Sequence, residues 1–246
     1  MDALVIGAVT IGAAAFRGVT GFGYALVAAL GFAGIFSPTG MVPFILINDL
    51  MLTGFTVVDR GRSPIDWPVT RILIAAGLLG ALCGSLLVPY LEGDLARILV
   101  SATIVVAACT ALIRQPPVWL AHKAFGIVIG FVTGILLSAF AVGGPLIAAW
   151  LLAGGVKRDY VRGTLAVFFG LIDLFTLASR AYMGAVDAEL LRLLMIYCPL
   201  TLAGFAAGYF LSHRLPASVW DRVSGVGLIF IAIVGLAQTV YAIAFA

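Results

Sequence analysis

Long apolar runs dominate the chain, separated by short connectors rich in charge, proline and glycine. The runs fall at about 3–36, 40–58, 69–91 and 95–113, and after a polar stretch, Arg114–Lys123, they recur at about 124–154, 163–183, 190–211 and 223–245. A membrane crossing takes about 20 apolar residues in a helix, so each unbroken run predicts one transmembrane helix. The runs at 3–36 and 124–154 are too long for one helix. Glycines interrupt them near 17–23 and near 138–145. Each therefore predicts either two short helices or a re-entrant hairpin.

The two interruptions sit in matching places. Phe16-Arg17-Gly18-Val19-Thr20-Gly21-Phe22-Gly23-Tyr24 breaks the first half, and Ser138-Ala139-Phe140-Ala141-Val142-Gly143-Gly144-Pro145 breaks the second about 121 positions later. Connector residues repeat at the same spacing, with Asp66 and Arg71 answered by Asp187 and Arg192. Each half also carries one aspartate inside an apolar segment, Asp49 and Asp173. The pattern predicts an all-α polytopic membrane protein forming a single transmembrane domain, with a first repeat at 1–113, a cytoplasmic linker at 114–123 and a second repeat at 124–246. Paired breaks and intramembrane acids point to a secondary transporter.

Basic residues in connectors set the orientation, because they stay on the cytoplasmic side. If each broken run leaves and returns on one side, Arg60, Arg62, Arg71, Arg114, Lys123, Lys157, Arg158, Arg162, Arg214 and Arg222 all lie inside, against Arg97, Arg180 and Arg192 outside. If each broken run crosses once instead, the charges divide almost evenly. The first arrangement makes the repeats inverted, each a broken pair plus three full helices, with both termini extracytoplasmic. Trp67, Trp119 and Trp220 then lie beside cytoplasmic connectors, where aromatic belts form.

Composition narrows the function classes. Hydrophobic residues make up 63% of the chain and charged residues 10%, well below the roughly 25% charged of soluble domains. A net charge of +3, spread over connectors, excludes a nucleic-acid surface. Cys83, Cys109 and Cys198 fall in apolar segments without CxxC spacing, which argues against disulfides or zinc. Met1-Asp2-Ala3 lacks the positive start of a secretory signal, so the first apolar run is expected to belong to the folded protein.

Gly143-Gly144-Pro145-Leu146, followed by Lys157-Arg158-Asp159 and Arg162-Gly163-Thr164, resembles the second-repeat signature of the TauE/SafE family of sulfite and organosulfonate exporters. Thr20-Gly21-Phe22-Gly23-Tyr24-Ala25-Leu26-Val27 resembles its first-repeat counterpart, and the resemblance covers essentially the whole chain. It implies a two-repeat permease, in the bacterial inner membrane, that exports sulfur-containing or related organic anions.

The candidate site follows from the breaks. A helix restarting at Tyr24 or Pro145 presents free N–H groups and a positive dipole end, a ready anion site. Arg17, Thr20, Gly21, Gly23, Tyr24, Ser138, Gly143, Gly144 and Pro145 are therefore the expected substrate-binding residues, and two such helix ends are expected to meet near the midplane. The competing reading is that the glycines only permit close helix packing. Arg17 stands out as the basic residue away from the connectors, with no counterpart in the second half. Asp49 and Asp173 are expected to carry a coupling proton, the alternative being a structural pair with Arg17. Asn48, Thr53 and Thr176 are nearby polar residues. No catalytic residue, metal or cofactor is expected: His122 and His213 lie in connectors, and no Ser/His/Asp set, HExxH or phosphate loop occurs. The expected partners are a small anion and the lipid bilayer, with homo-oligomerisation compatible. A membrane enzyme, or a non-transporting assembly or sensor subunit, are the rival classes.

Overall fold

The computed structural model describes residues 2–21, 23–32, 35–37, 39–59, 64–91, 98–99, 102, 122–156, 158–214 and 233–234. They are helical nearly throughout, with no strand among them. The expected crossings at 95–113 and 223–245, the 114–121 part of the linker, and Pro38 and Lys157 lie almost wholly outside the described residues.

The eight described α-helices are α1 (Asp2–Thr20), α2 (Tyr24–Phe32), α3 (Val42–Asp59), α4 (Trp67–Leu87), α5 (Lys123–Phe140), α6 (Gly144–Ala153), α7 (Arg158–Tyr182) and α8 (Ala188–Arg214). A 3-10 turn, Val88–Tyr90, extends α4. Five of them (α1, α4, α5, α7 and α8) are long and apolar enough to cross a membrane, and α3 contributes a shorter apolar stretch, Val42–Phe55.

Local chemistry explains where the helices start and stop. Asp66 caps α4 by accepting from the Val69 amide at 3.3 Å, with Pro68 in the first turn. Asp187 does the same for α8, accepting from the Leu190 amide at 2.8 Å. These are the connector aspartates that repeat in the sequence, so the repeat reappears as a repeated cap. At the first break the Gly21 amide closes α1 onto the Arg17 carbonyl at 2.7 Å, and Gly21 and Gly23 take φ of +86° and +88°. Side chains rarely tolerate that region, which is why glycine stands there. At the second break the turn is made by Ala141 at φ 59°, and its amide returns to the Leu137 carbonyl at 2.8 Å.

The closest packing joins helices from different halves. α1 lies against α8, and α4 against α5, more extensively than any other pairs. Both contacts bring backbone to backbone through glycine. A Cβ at Gly208 would stand 2.1 Å from the Ala15 carbonyl oxygen, and one at Gly204 2.5 Å from that of Ile11. Likewise, a Cβ at Gly80 would stand 2.0 Å from the Phe131 oxygen, and one at Gly134 2.1 Å from the Gly77 oxygen. Without a hydrophobic drive between helices in lipid, such small-residue contacts are what hold them together.

The contacts also fix directions. Ile11 meets Gly204 and Ala15 meets Gly208, so α1 and α8 are parallel. Phe44 stacks edge-on against Tyr197 and Asn48 bonds Thr201, so α3 runs with α8. Phe131 and Ile135 meet Gly80 and Gly84, and Thr164 and Phe168 meet Thr70 and Gly77, so α4, α5 and α7 run together. Asp49 faces Asp173 and Thr53 faces Gly170, which makes α3 and α7 antiparallel. Thus α1, α3 and α8 point one way and α4, α5 and α7 the other. One buried core gathers α1, α2, α3, α8 and residues 139–142; a second gathers α4, α5, α6 and α7.

Candidate functional site

Four of the predicted residues converge at the first break. Arg17, in the last turn of α1, donates from Nη1 to Asp49 Oδ1 and from Nη2 to Thr53 Oγ1, both on α3. The pair is sealed from solvent, with side chains 10% and 7% exposed. Asp49 and Thr53 are four apart, on one helical face, so one guanidinium reaches both. Asp173, on the antiparallel α7, interacts with Asp49 at side-chain hydrogen-bonding range and with Arg17 electrostatically. Tyr24, the first residue of α2, is fully buried beside Arg17, Asp49, Cys198 and Thr201.

The pair with Arg17, named above as the alternative role for the acids, is present for Asp49. Asp49 is bonded to this one guanidinium, and Asp173 feels it electrostatically. Polar atoms remain unanswered around the cluster: Arg17 Nε, the Tyr24 hydroxyl, Asp173 Oδ1 and Thr176 Oγ1 are buried without a hydrogen-bond partner. The Tyr24 hydroxyl stands beside Thr201, whose own hydroxyl donates to Asn48 Oδ1 at 2.7 Å, and no hydrogen bond of normal geometry joins the two. Asn48 in turn donates to the Phe44 carbonyl at 2.9 Å. This second network ties α3 to α8. Native proteins rarely leave buried donors orphaned, so each such group requires an explanation.

The remaining first-break residues shape the backbone. Thr20 is buried and donates to the Phe16 carbonyl at 2.8 Å. Gly21 has open space around its Cα, whereas a Cβ at Gly23 would meet the Phe16 ring at 3.0 Å.

The second break gathers a different set. Ser138 and Ser85 hydroxyls lie 2.7 Å apart. Gly143 packs so closely on Thr133 that a Cβ there would come within 2.6 Å of its methyl. Gly144 begins α6, one residue ahead of the expected Pro145, and looks across to the Phe169 ring. Sequence reasoning missed Arg180, placing it among outside charges and calling Arg17 the basic residue away from connectors. Arg180 is in fact 4% exposed, and its Nη2 donates to the carbonyls of Ser138 (2.9 Å) and Ala139 (3.3 Å). The available signal was its place inside the apolar run 163–183 rather than beyond it.

His122 has a structural task, with its ring accepting from the Ala124 amide at the start of α5. Among the described residues no group of His, Cys, Asp and Glu is arranged to hold a metal ion.

No curated protein and no solved structure shows significant similarity to the chain. The profile described as "Sulfite exporter TauE/SafE" matches residues 5–235. That span covers both breaks, the buried acids and every described helix apart from the first turn of α1. The chain is accordingly an integral membrane permease, and it belongs to the sulfite exporter TauE/SafE family.

Proposed function

We propose that this permease exports a small sulfur-containing or organic oxyanion, such as sulfite, sulfoacetate or another sulfonate, by alternating access coupled to protons. The observation that carries the reading is the pair of orphan donors at the first break. Arg17 Nε–H and Tyr24 O–H are both buried, both unpartnered and both part of one cluster. A sulfonate or sulfite oxygen is the acceptor they lack, and charge-assisted bonds from a guanidinium suit it. Gly21 leaves open space beside the cluster, and the start of α2 at Tyr24 adds a positive helix end.

Asp49 and Asp173 supply the coupling. With two carboxyls and one guanidinium, the cluster is neutral only when one carboxyl holds a proton. A proton arriving on Asp49 loosens its hold on Arg17 and turns the guanidinium toward the anion. Proton and anion binding are then linked through one side chain.

The architecture supports alternating access. In each matched pair, α1 with α5, α3 with α7 and α4 with α8, the two helices run in opposite directions. That relation is the one inverted repeats at 1–113 and 124–246 require. With the basic connectors kept inside, this reading has both termini on the outer face of the inner membrane.

The test is flux of labelled sulfite, sulfoacetate and other sulfonates in proteoliposomes, comparing the native protein with Tyr24→Phe. The variant removes one hydroxyl and leaves the packing intact. A hydrogen bond to a charged partner is worth about 1.5–3 kcal/mol, so the apparent affinity should fall about tenfold or more with thermal stability unchanged. The proposal fails if none of these anions moves, or if Tyr24→Phe transports with native affinity.

A further inference from the structure

Arg180 performs a task at the second break that a helix cap does not exhaust. Its Nη2 answers the carbonyls of Ser138 and Ala139 at the end of α5. A helix C-terminus carries only about half a negative charge, so the guanidinium is not neutralised there. No carboxylate among the described residues pairs with it, whereas Arg17 has Asp49. Its Nε–H is buried without a partner, and the residue is 4% exposed.

Two buried hydroxyls stand close by. Ser85 and Ser138 share a single hydroxyl–hydroxyl contact, so whichever oxygen donates, the other hydroxyl proton remains to be placed. The two carbonyls near Arg180 are already accepting from it. One positive charge, one orphan N–H and one spare O–H, all on buried residues linked through Ser138, are the groups that a small oxyanion takes.

We propose that Arg180, with the Ser85–Ser138 hydroxyl pair, forms a second oxyanion site at the second break, distinct from the one at Arg17 and Tyr24. The inference rests on the reading of the chain as an oxyanion permease and adds a second station to it. The two stations are cationic for different reasons. Arg17 is balanced by an acid and becomes available on protonation, while Arg180 is held by backbone and stays charged throughout.

Sulfite titrated calorimetrically into the full-length protein in detergent tests it. The native chain should bind two sulfite ions. Arg180→Lys should bind one, because lysine keeps the charge and can still reach the carbonyls but has no Nε–H to aim at the ligand. A purely structural cap predicts native stoichiometry in that variant. Should Arg180→Lys not fold, the Ser85→Ala, Ser138→Ala pair serves instead. It leaves the backbone carbonyls and Arg180 in place, and it should weaken one binding event about tenfold while sparing the other. One sulfite in the native protein, with no change in either variant, overturns the second site and leaves the first intact. No binding in any of the proteins overturns the oxyanion reading itself, and this site with it.

Discussion

Replacing Arg17 with Gln should damage the protein more than replacing Asp49 with Asn, and the asymmetry follows from who else is nearby. Arg17 holds Asp49 and Thr53 and also has Asp173 within electrostatic reach. Losing Asp49 therefore leaves the guanidinium a second carboxyl and a hydroxyl. Losing Arg17 leaves Asp49, 5% exposed, with no cation among the described residues. Breaking a buried pair by removing one partner costs about 3–5 kcal/mol. Asp49→Asn should instead cost about 1–3 kcal/mol, the range for leaving one buried polar group short of a partner. For chains of 150–250 residues each kcal/mol lowers Tm by about 2–4 °C, so Arg17→Gln should fall by about 6–20 °C. The double variant should be more stable than the sum of the single losses predicts, by about 0.5–3 kcal/mol. The assay is thermal unfolding followed by tryptophan fluorescence in one detergent for the native protein, both single variants and the double. Strict additivity, or a greater loss for Asp49→Asn than for Arg17→Gln, would refute the shared guanidinium.

Asp173→Asn and Asp49→Asn should each abolish sulfite accumulation driven by a pH gradient while sparing exchange across equal pH; a double Asn variant that still concentrates sulfite removes the acids from coupling. Gly208→Ala should destabilise the protein by about 1–3 kcal/mol, the usual cost of overpacking, because its Cβ would stand 2.1 Å from the Ala15 oxygen. Gly12→Ala, with nothing within 4 Å of its Cβ, should be neutral or stabilise by up to about 1 kcal/mol; parallel melting curves separate the two, and equal effects would contradict the backbone contact. In a background without Cys83, Cys109 and Cys198, a cysteine at Thr39 should react with an impermeant thiol reagent on intact cells, while one at Ser63 should not. Labelling at both positions, or at Ser63 alone, contradicts outward termini.

The helices and their breaks were legible because both are written in local chemistry. Glycine at 21 and 23 and the Gly143-Gly144-Pro145 step interrupt apolar runs, and the helices stop at Thr20 and Phe140 and restart at Tyr24 and Gly144. The connector aspartates were visible as a repeat, and their capping role follows from residue type. Asp49 and Asp173 were legible as charges in apolar segments. Their partner was harder to choose, since Arg17 and Asp49 are 32 positions apart and meet only through the way α1 lies on α3. Arg180 illustrates the limit more sharply. It falls two residues before the end of α7, where an exposed charge at the membrane edge is the ordinary reading, and its burial depends on where the unrelated helix α5 happens to stop. Packing by glycine was the competing reading at the breaks, whereas the tightest contacts among the described residues occur at Gly80, Gly134 and Gly208, inside regular helices.

Backbone-to-backbone contact between α1 and α8, and between α4 and α5, means that neither sequence half is a mechanical unit. Prising the halves apart would pull Ala15 from Gly208 and Phe131 from Gly80, where no flexible side chain lies between to absorb the movement. The tight pairs are instead mixed ones, α1 with α8 and α4 with α5, while α3 lies chiefly against α7. Among the described residues, the contact of α3 with α7 is the main seam between helices of opposite direction from the two groups. Asp49 and Asp173 face each other across that seam, so the charge of the two acids bears directly on how α3 and α7 hold together.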